Sequence, residues 1–311
     1  MVAPFPMPTQ TYHTKSYSSI SPDQPALSQQ GKNIVVTGGG TGIGEGIALS
    51  LARAKVSNLA LLGRRVGPLE QVKKTITASY PETSVYVYSA DISDLDAMVN
   101  AFNSFAKAVQ GPVHTVMANA GWHPGVSTAP DDNNDSLMAS LEINAGGTAN
   151  TVRAYLPHIP AEPIDASGYR GRIVHTSSGV THVFVPDSVN YGIGKLAGAG
   201  YLQYVALNHP ELQIINFHPG ILATDMSAVG SGLEATDEIS LPADWAVWAG
   251  SPESAFLGSG RLVWAHWDVN ELKERFERMR AGKEKDGDVV FGALPVHQQF
   301  TIGLVDWIKA E

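Results

Sequence analysis

Tyr191 and Lys195 stand four residues apart in Tyr191-Gly-Ile-Gly-Lys195. On a helix that spacing puts both side chains on one face, one turn apart. A phenol titrates near about 10, and a cation beside it favours its ionised form. The pair therefore has the composition of a proton-exchange device. Ser178 lies thirteen residues before Tyr191, just past Arg172–Thr176, which is read as a strand. A Ser-Ser pair ending a strand is either turn chemistry or a hydroxyl presented at the strand's end. Asn144 falls inside a helical pattern around Leu137 to Tyr155, where an amide is unfavourable unless its side chain has partners.

A second set of residues has the composition of a phosphate cradle. The apolar run Ile34 to Val36 predicts a buried strand, and Ile47 and Leu51 recur at helical spacing within Glu45 to Ala54. Between them lies Thr37-Gly38-x-x-x-Gly42-Ile43-Gly44, with Thr41 directly before Gly42. Glycine lets the backbone turn sharply and approach a pyrophosphate, whose oxygens then rest on free N–H groups at the helix N-terminus. The pattern fits neither Gly-x-Gly-x-x-Gly nor the P-loop.

The elements that follow alternate strand and helix, which predicts an α/β fold: a doubly wound, Rossmann-type parallel sheet of about seven strands with helices on both faces. The second strand, Asn58 to Leu62, ends at Gly63-Arg64-Arg65. In a dinucleotide-binding unit an acidic residue at this point would hold the ribose 2′-hydroxyl. Here it is Gly63, and the two arginines suit a 2′-phosphate, so NADP(H) is expected in preference to NAD(H). The third strand, Ser84 to Ser89, leads to Asp91-Ile92, where the carboxylate is placed to accept from an adenine amino group. Ser93 and Asp96 are expected to cap the next helix. The fourth strand, Val113 to Met117, runs into Asn119-Ala120-Gly121; the amide can tie strand ends together and the glycine permits close passage of a ribose. After a sixth strand, Gln213 to Phe217, His218-Pro219-Gly220-Ile221-x-x-Thr224 turns across the nicotinamide end.

The 311 residues carry a net charge of −9, which argues against nucleic acid or an anionic membrane as partner. There is no cysteine, so no thiolate chemistry, and the ten histidines show no metal-ligand spacing. No apolar run approaches membrane-spanning length, and the N-terminus lacks a signal-peptide core, so a cytoplasmic location is expected. Residues 1–30 are expected to be an extension, partly disordered or draped over the domain through Phe5, Tyr12, Tyr17 and Ile20, and residues 31–311 one catalytic domain. Within it, the stretch about 225–260, rich in aromatics, is read as a substrate lid or a surface helix pair. A C-terminal extension about 268–311 opens with Asp268-x-x-Glu271 as a helix cap.

These motifs, in this order and spacing across Gly31 to Thr224, resemble the short-chain dehydrogenase/reductase family. The N-terminal Ser-Pro-x-x-Pro-x-Leu-Ser-x-x-Gly-Lys and the run Arg261-Leu-Val-Trp-Ala-His-Trp-Asp268 resemble an extended branch common in filamentous fungi. His114 to Ala118 departs from the family pattern, which usually has an acidic residue and a second Asn there. The resemblance implies that Tyr191 is the general acid in carbonyl reduction, with Lys195 supplying positive charge and holding the nicotinamide ribose. It implies that Ser178 binds the substrate oxygen and that Asn144 holds a water leading protons out from Lys195. The expected substrate is a small, largely apolar ketone, aldehyde or secondary alcohol. Pairing of subunits through the small-residue face after Tyr191 and the helix holding Asn144 is expected to give a homodimer or homotetramer. A dehydratase or epimerase, or a nucleotide sensor, remains an alternative on the same fold.

Overall fold

The computed structural model describes residues 8–129, 134–183, 185–226, 234–281 and 283. Its centre is a seven-stranded parallel sheet in the order β3-β2-β1-β4-β5-β6-β7. The strands are β1 Asn33–Thr37, β2 Asn58–Gly63, β3 Ser84–Ser89, β4 Thr115–Ala118, β5 Gly171–Thr176, β6 Leu212–His218 and β7 Arg261–Trp264. Because side chains alternate along a strand, each face of the sheet has its own core. Ile34, Val36, Leu59, Leu61 and Phe217 belong to one; Val35, Ala60, Leu62 and Ile214 belong to the other.

Helices α1 (Gly42–Arg53) and α2 (Val66–Ser79) share the first core, and α3 (Leu95–Val109) lies in the second. Asp94 caps α3 by accepting from the Ala97 N–H at 3.0 Å, where Ser93 and Asp96 were expected to do so. The helix predicted around Leu137 to Tyr155 is interrupted. It runs as α4 (Asn134–Ser140), a wider π-type turn over Leu141–Gly146, and α5 (Gly147–Tyr155). Helix α6 (Val189–Asn208) carries Tyr191 and Lys195, and its glycines seat it on the π turn. A Cβ at Gly194 would meet Ser140 Oγ at 2.4 Å, and one at Gly198 would meet the Asn144 carbonyl at 2.6 Å. Gly194 and Gly198 are therefore used inside the subunit, whereas Gly200 faces open space.

The aromatic stretch expected as a lid divides. Ser240–Ala249 forms α7, in which Leu241, Trp245, Val247 and Trp248 are buried against α1 and the sheet. This helix is part of the core, and composition alone does not distinguish a lid from a core helix; residues 227–233 lie outside those described. Helix α8 (Val269–Arg280) is capped as expected by Asp268, which accepts from the Asn270 and Glu271 N–H groups, and buries Leu272 and Phe276.

The N-terminal stretch from Pro8 onward drapes over this face. Ile20 and Leu27 are buried in its core, and Glu271 accepts from the backbone N–H of Gln10 and Thr11. Ser16 and Ser50 donate to the two oxygens of buried Asp244, tying arm, α1 and α7 together. Phe5 lies outside the described residues.

Candidate active site

The chain runs from β1 out through β2 to β3 and then crosses back to place β4 on the other side of β1, so the carboxyl ends of β1 and β4 open a crevice, the place where α/β sheets bind ligands. A cleft of about 540 Å³ lies there. The Gly-rich turn forms its floor. Gly38 has φ +67, and a Cβ at Gly44 would lie 2.0 Å from the Gly38 carbonyl oxygen and 2.6 Å from Asn119 Nδ2. No side chain fits at Gly44, so helix α1 starts hard against the end of β1. Asn119 Nδ2 donates to the carbonyls of Thr37 and Gly38 at 3.3 and 3.4 Å, and Thr37 Oγ1 accepts from the N–H groups of Asn119 and Ala120. The Asn-Ala-Gly motif thus ties two strand ends together as its composition suggested. Thr41, Gly42 and Ile43 line the cleft, with Thr224 across from Gly42.

Gly63, Arg64, Arg65, Asp91 and Ile92 line one end. The Arg64 side chain is 70% exposed and its Nη1 lies 3.9 Å from Asp91 Oδ2. Asp91 Oδ1 accepts from the N–H and hydroxyl of Ser93. A Cβ at Gly63 would touch only Leu69, at an ordinary 3.5 Å, so the missing carboxylate is not excluded by space.

Tyr191 and Lys195 line the other end, with Gly121, Thr176 and Pro219. Lys195 is buried, its Nζ donating to the Thr176 carbonyl at 2.9 Å and lying 5.9 Å from the centre of the Tyr191 ring. Burial pushes the Lys195 ammonium down to about 8. Burial also pushes the Tyr191 phenol up to about 12, opposed by a hydrogen bond with Ser178. The Ser178 hydroxyl is thus a lowering influence on the phenol that the sequence did not suggest. Lys195 has three donors and one acceptor among the hydrogen bonds described, so it retains capacity for further oxygen ligands.

Gly44 and Asn144 are buried beside the cleft, while Ser178, Gly220 and Ile221 are half-buried next to the lining residues Ser177 and Pro219. Asn144 Oδ1 accepts from the Trp122 N–H at 2.9 Å, and its Nδ2 donates to the Trp122 carbonyl and to Ser140 Oγ. The amide's described partners thus clamp the chain beside Gly121. A Cβ at Gly121 would come within 2.9 Å of both Asn144 Oδ1 and Lys195 Nζ, so only glycine passes between them. His114, the departure from the family pattern, accepts the Asn33 N–H on Nδ1 at 2.9 Å; burial brings its imidazole down to about 4, and it joins β4 to β1 as a neutral ring.

Two residues next to the catalytic end were not read from the sequence. Trp122 lines the cleft. His123 stacks on the Tyr191 ring at 4.3 Å between centroids and 29° between planes, and accepts the Gly125 N–H on Nδ1. Burial, and then the Lys195 charge, holds its imidazole below the ordinary histidine value. Their position directly after Asn119-Ala-Gly121 was the only available signal.

A Rossmann-type sheet with a Gly-rich turn at one end of its crevice and a Ser-Tyr-Lys group at the other defines a nucleotide-dependent oxidoreductase fold. The family model described as short chain dehydrogenase matches residues 32–231. A short chain dehydrogenase/reductase from Claviceps purpurea is 34% identical over 280 residues, 88% of this chain and 91% of that one. Among solved structures, a short chain dehydrogenase from Burkholderia cenocepacia in complex with NADP is 25% identical with TM-score 0.65, covering 78% of this chain and 99% of that one. A 7α-hydroxysteroid dehydrogenase complexed with NADH superposes with TM-score 0.66 at 18% identity, over 81% and 97% of the two chains. The chain belongs to the short-chain dehydrogenase/reductase family of oxidoreductases.

Proposed function

We propose that this protein is an NADP(H)-dependent reductase of a ketone or aldehyde, working in reverse as a secondary alcohol dehydrogenase, on a small and largely apolar substrate. The observation that carries the reading is one cleft with arginines at one end and Tyr191 at the other, hydrogen-bonded to Ser178 and one helical turn from buried Lys195. The coenzyme, when bound, supplies the hydride. The residues present fit it: Gly38, Thr41, Gly42 and Ile43 for the pyrophosphate, Asn119, Ala120 and Gly121 beside a ribose, and Lys195 with donors to spare for ribose hydroxyls. Pro219, Gly220, Ile221 and Thr224 would bound the nicotinamide end, and Asp91 and Ile92 the adenine.

Tyr191, protonated at neutral pH, donates its proton to the substrate oxygen as charge develops there, and Ser178 shares that oxygen's negative charge through its hydroxyl. Lys195 is cationic at pH 7 and lowers the cost of the phenolate left behind. Asn144, through its grip on Trp122, keeps Gly121 and Lys195 in register. Arg64 and Arg65 supply the positive charge for a 2′-phosphate, and NAD(H) remains the weaker alternative. A screen of NADPH consumption over a panel of ketones and aldehydes, repeated with NADH, tests the reading; consumption with no carbonyl, or equal rates with both coenzymes, contradicts it. Among the described residues no helix is long and apolar enough to cross a membrane.

A further inference from the structure

Behind the loop Pro219–Ile221 lies a buried polar pair that the site above does not use. Asp237 and His266 have side chains 1% exposed, with His266 Nε2 at 3.0 Å from Asp237 Oδ2. The same carboxylate oxygen accepts the Ile221 N–H at 2.7 Å. The Ile221 carbonyl in turn accepts from the N–H groups of Thr236 and Asp237 at 3.0 and 3.2 Å. Gly220, at φ +110, passes so close that a Cβ there would meet Asp237 Oδ2 at 2.6 Å. Both backbone polar groups of Ile221 are thus held from behind by one short segment.

His266 is itself held by the N-terminal arm. Tyr12 stacks on its ring at 4.5 Å and 13°, and the His13 N–H donates to its carbonyl at 2.8 Å. Tyr12 forms a bridge with Trp267, and His13 Nε2 lies 3.0 Å from Asp268 Oδ2. Two residues earlier, Trp264 donates from Nε1 to His182 and meets His218 edge-on at 4.6 Å. His218 Nδ1 accepts the Gly179 N–H, next to Ser178. The segment Trp264–Asp268 therefore joins the arm to both the nicotinamide-end loop and the serine turn.

A buried carboxylate is costly unless its oxygens are satisfied, and an apolar residue is often the more stable choice. Here Asp237 Oδ1 has no partner among the described residues. What the carboxylate alone provides is one acceptor for two donors at a fixed place behind Gly220. We infer that Asp237 and His266 are positioning residues that set the Pro219–Ile221 loop for the nicotinamide half of the coenzyme, with Tyr12 of the arm keeping His266 in place. The inference rests on the coenzyme reading above.

The test titrates the full chain with NADPH and with adenosine 2′,5′-bisphosphate, which lacks the nicotinamide, following tryptophan fluorescence. His266→Phe keeps a ring for Tyr12 and removes the donor; His266→Gln returns an N–H near the Nε2 position. The Phe variant should raise the NADPH Kd about tenfold, the scale of one lost ionic hydrogen bond, while the bisphosphate Kd changes by less than about twofold, and the Gln variant should recover most of the loss. Asp237→Asn should show the same selective loss and serves if His266→Phe does not fold. Unchanged NADPH affinity, or equal weakening of both ligands, overturns the inference. Wild-type protein that binds neither NADPH nor NADH removes the coenzyme reading and this inference with it, whereas tight wild-type binding with an indifferent His266→Phe removes only the inference.

Discussion

His123 lies against the face of Tyr191, ring centroids 4.3 Å apart. The stack covers one side of the proposed acid and contributes to the burial that holds the phenol near 12. His123→Ala should admit water there, lower kcat/KM on any accepted ketone by about tenfold, within the range of a weakened general acid, and move the alkaline limb of the pH profile to lower pH. His123→Phe, which keeps a stacked ring, should restore both. Profiles of kcat/KM against pH for the three proteins decide it, and an unaltered alanine variant makes the stack incidental.

Coenzyme choice rests on Gly63, Arg64 and Arg65. A Cβ at Gly63 meets only ordinary contacts, so a carboxylate can be placed there. Gly63→Asp with Arg64→Ala should weaken NADPH about ten- to a hundredfold, the worth of an ionic hydrogen bond of roughly 1.5–3 kcal/mol, and improve NADH. Titration of both coenzymes at one low salt concentration is the measurement. Wild-type protein binding NADH as tightly as NADPH would mean that the arginines face solvent only.

Arg172 is buried and forms two hydrogen bonds to Asp165, at 2.6 and 3.2 Å. Burial works against ionisation of Asp165, but hydrogen bonds from Arg172 and Ser167 outweigh it and bring the carboxyl down to about 2. A folded value below the ordinary 3.8 means the pair's stabilisation is complete above about pH 4 and is lost as pH falls through 2. Asp165→Asn, which strands the buried guanidinium, should cost about 3–5 kcal/mol at pH 7 and flatten the acid limb of stability. Urea unfolding at pH 7 and pH 3 measures it; a loss under about 1 kcal/mol at pH 7 would contradict a buried charge left unpaired.

Gly194 and Gly198 pack inward, which leaves α6 an outer face on which Ile193, Tyr204 and Leu207 are 40%, 71% and 68% exposed. We expect this face to pair subunits, so the wild-type light-scattering mass should be a multiple of 33.1 kDa. Tyr204→Asp with Leu207→Asp should yield monomer. A wild-type monomer at micromolar concentration refutes the expectation.

Much of this was legible because it is local. Gly38 to Gly44, Tyr191 with Lys195, and Asn119 owe their roles to neighbours a few residues away or to a strand end whose place the alternation predicts. The residues missed depend on long-range packing. His266 meets Asp237 across twenty-nine positions and Tyr12 from the far end of the chain, distances that no periodicity encodes. Trp245 and Trp248 have the composition of a lid and become core only because α7 lies on α1. Asn144 was recognised as an amide needing partners, but that its amide would clamp Trp122 depended on a π turn the helical pattern concealed.

The most direct measurement compares turnover and coenzyme binding in wild type and Tyr191→Phe. The phenol is the proton donor placed at the catalytic end, and its hydroxyl is all that the substitution removes. With a carbonyl substrate from the NADPH screen, the variant should lose turnover by about a hundredfold or more, the scale of general-acid catalysis, while its NADPH affinity stays close to wild type. Near-normal turnover in Tyr191→Phe would contradict the assignment of this cleft as the site of carbonyl reduction.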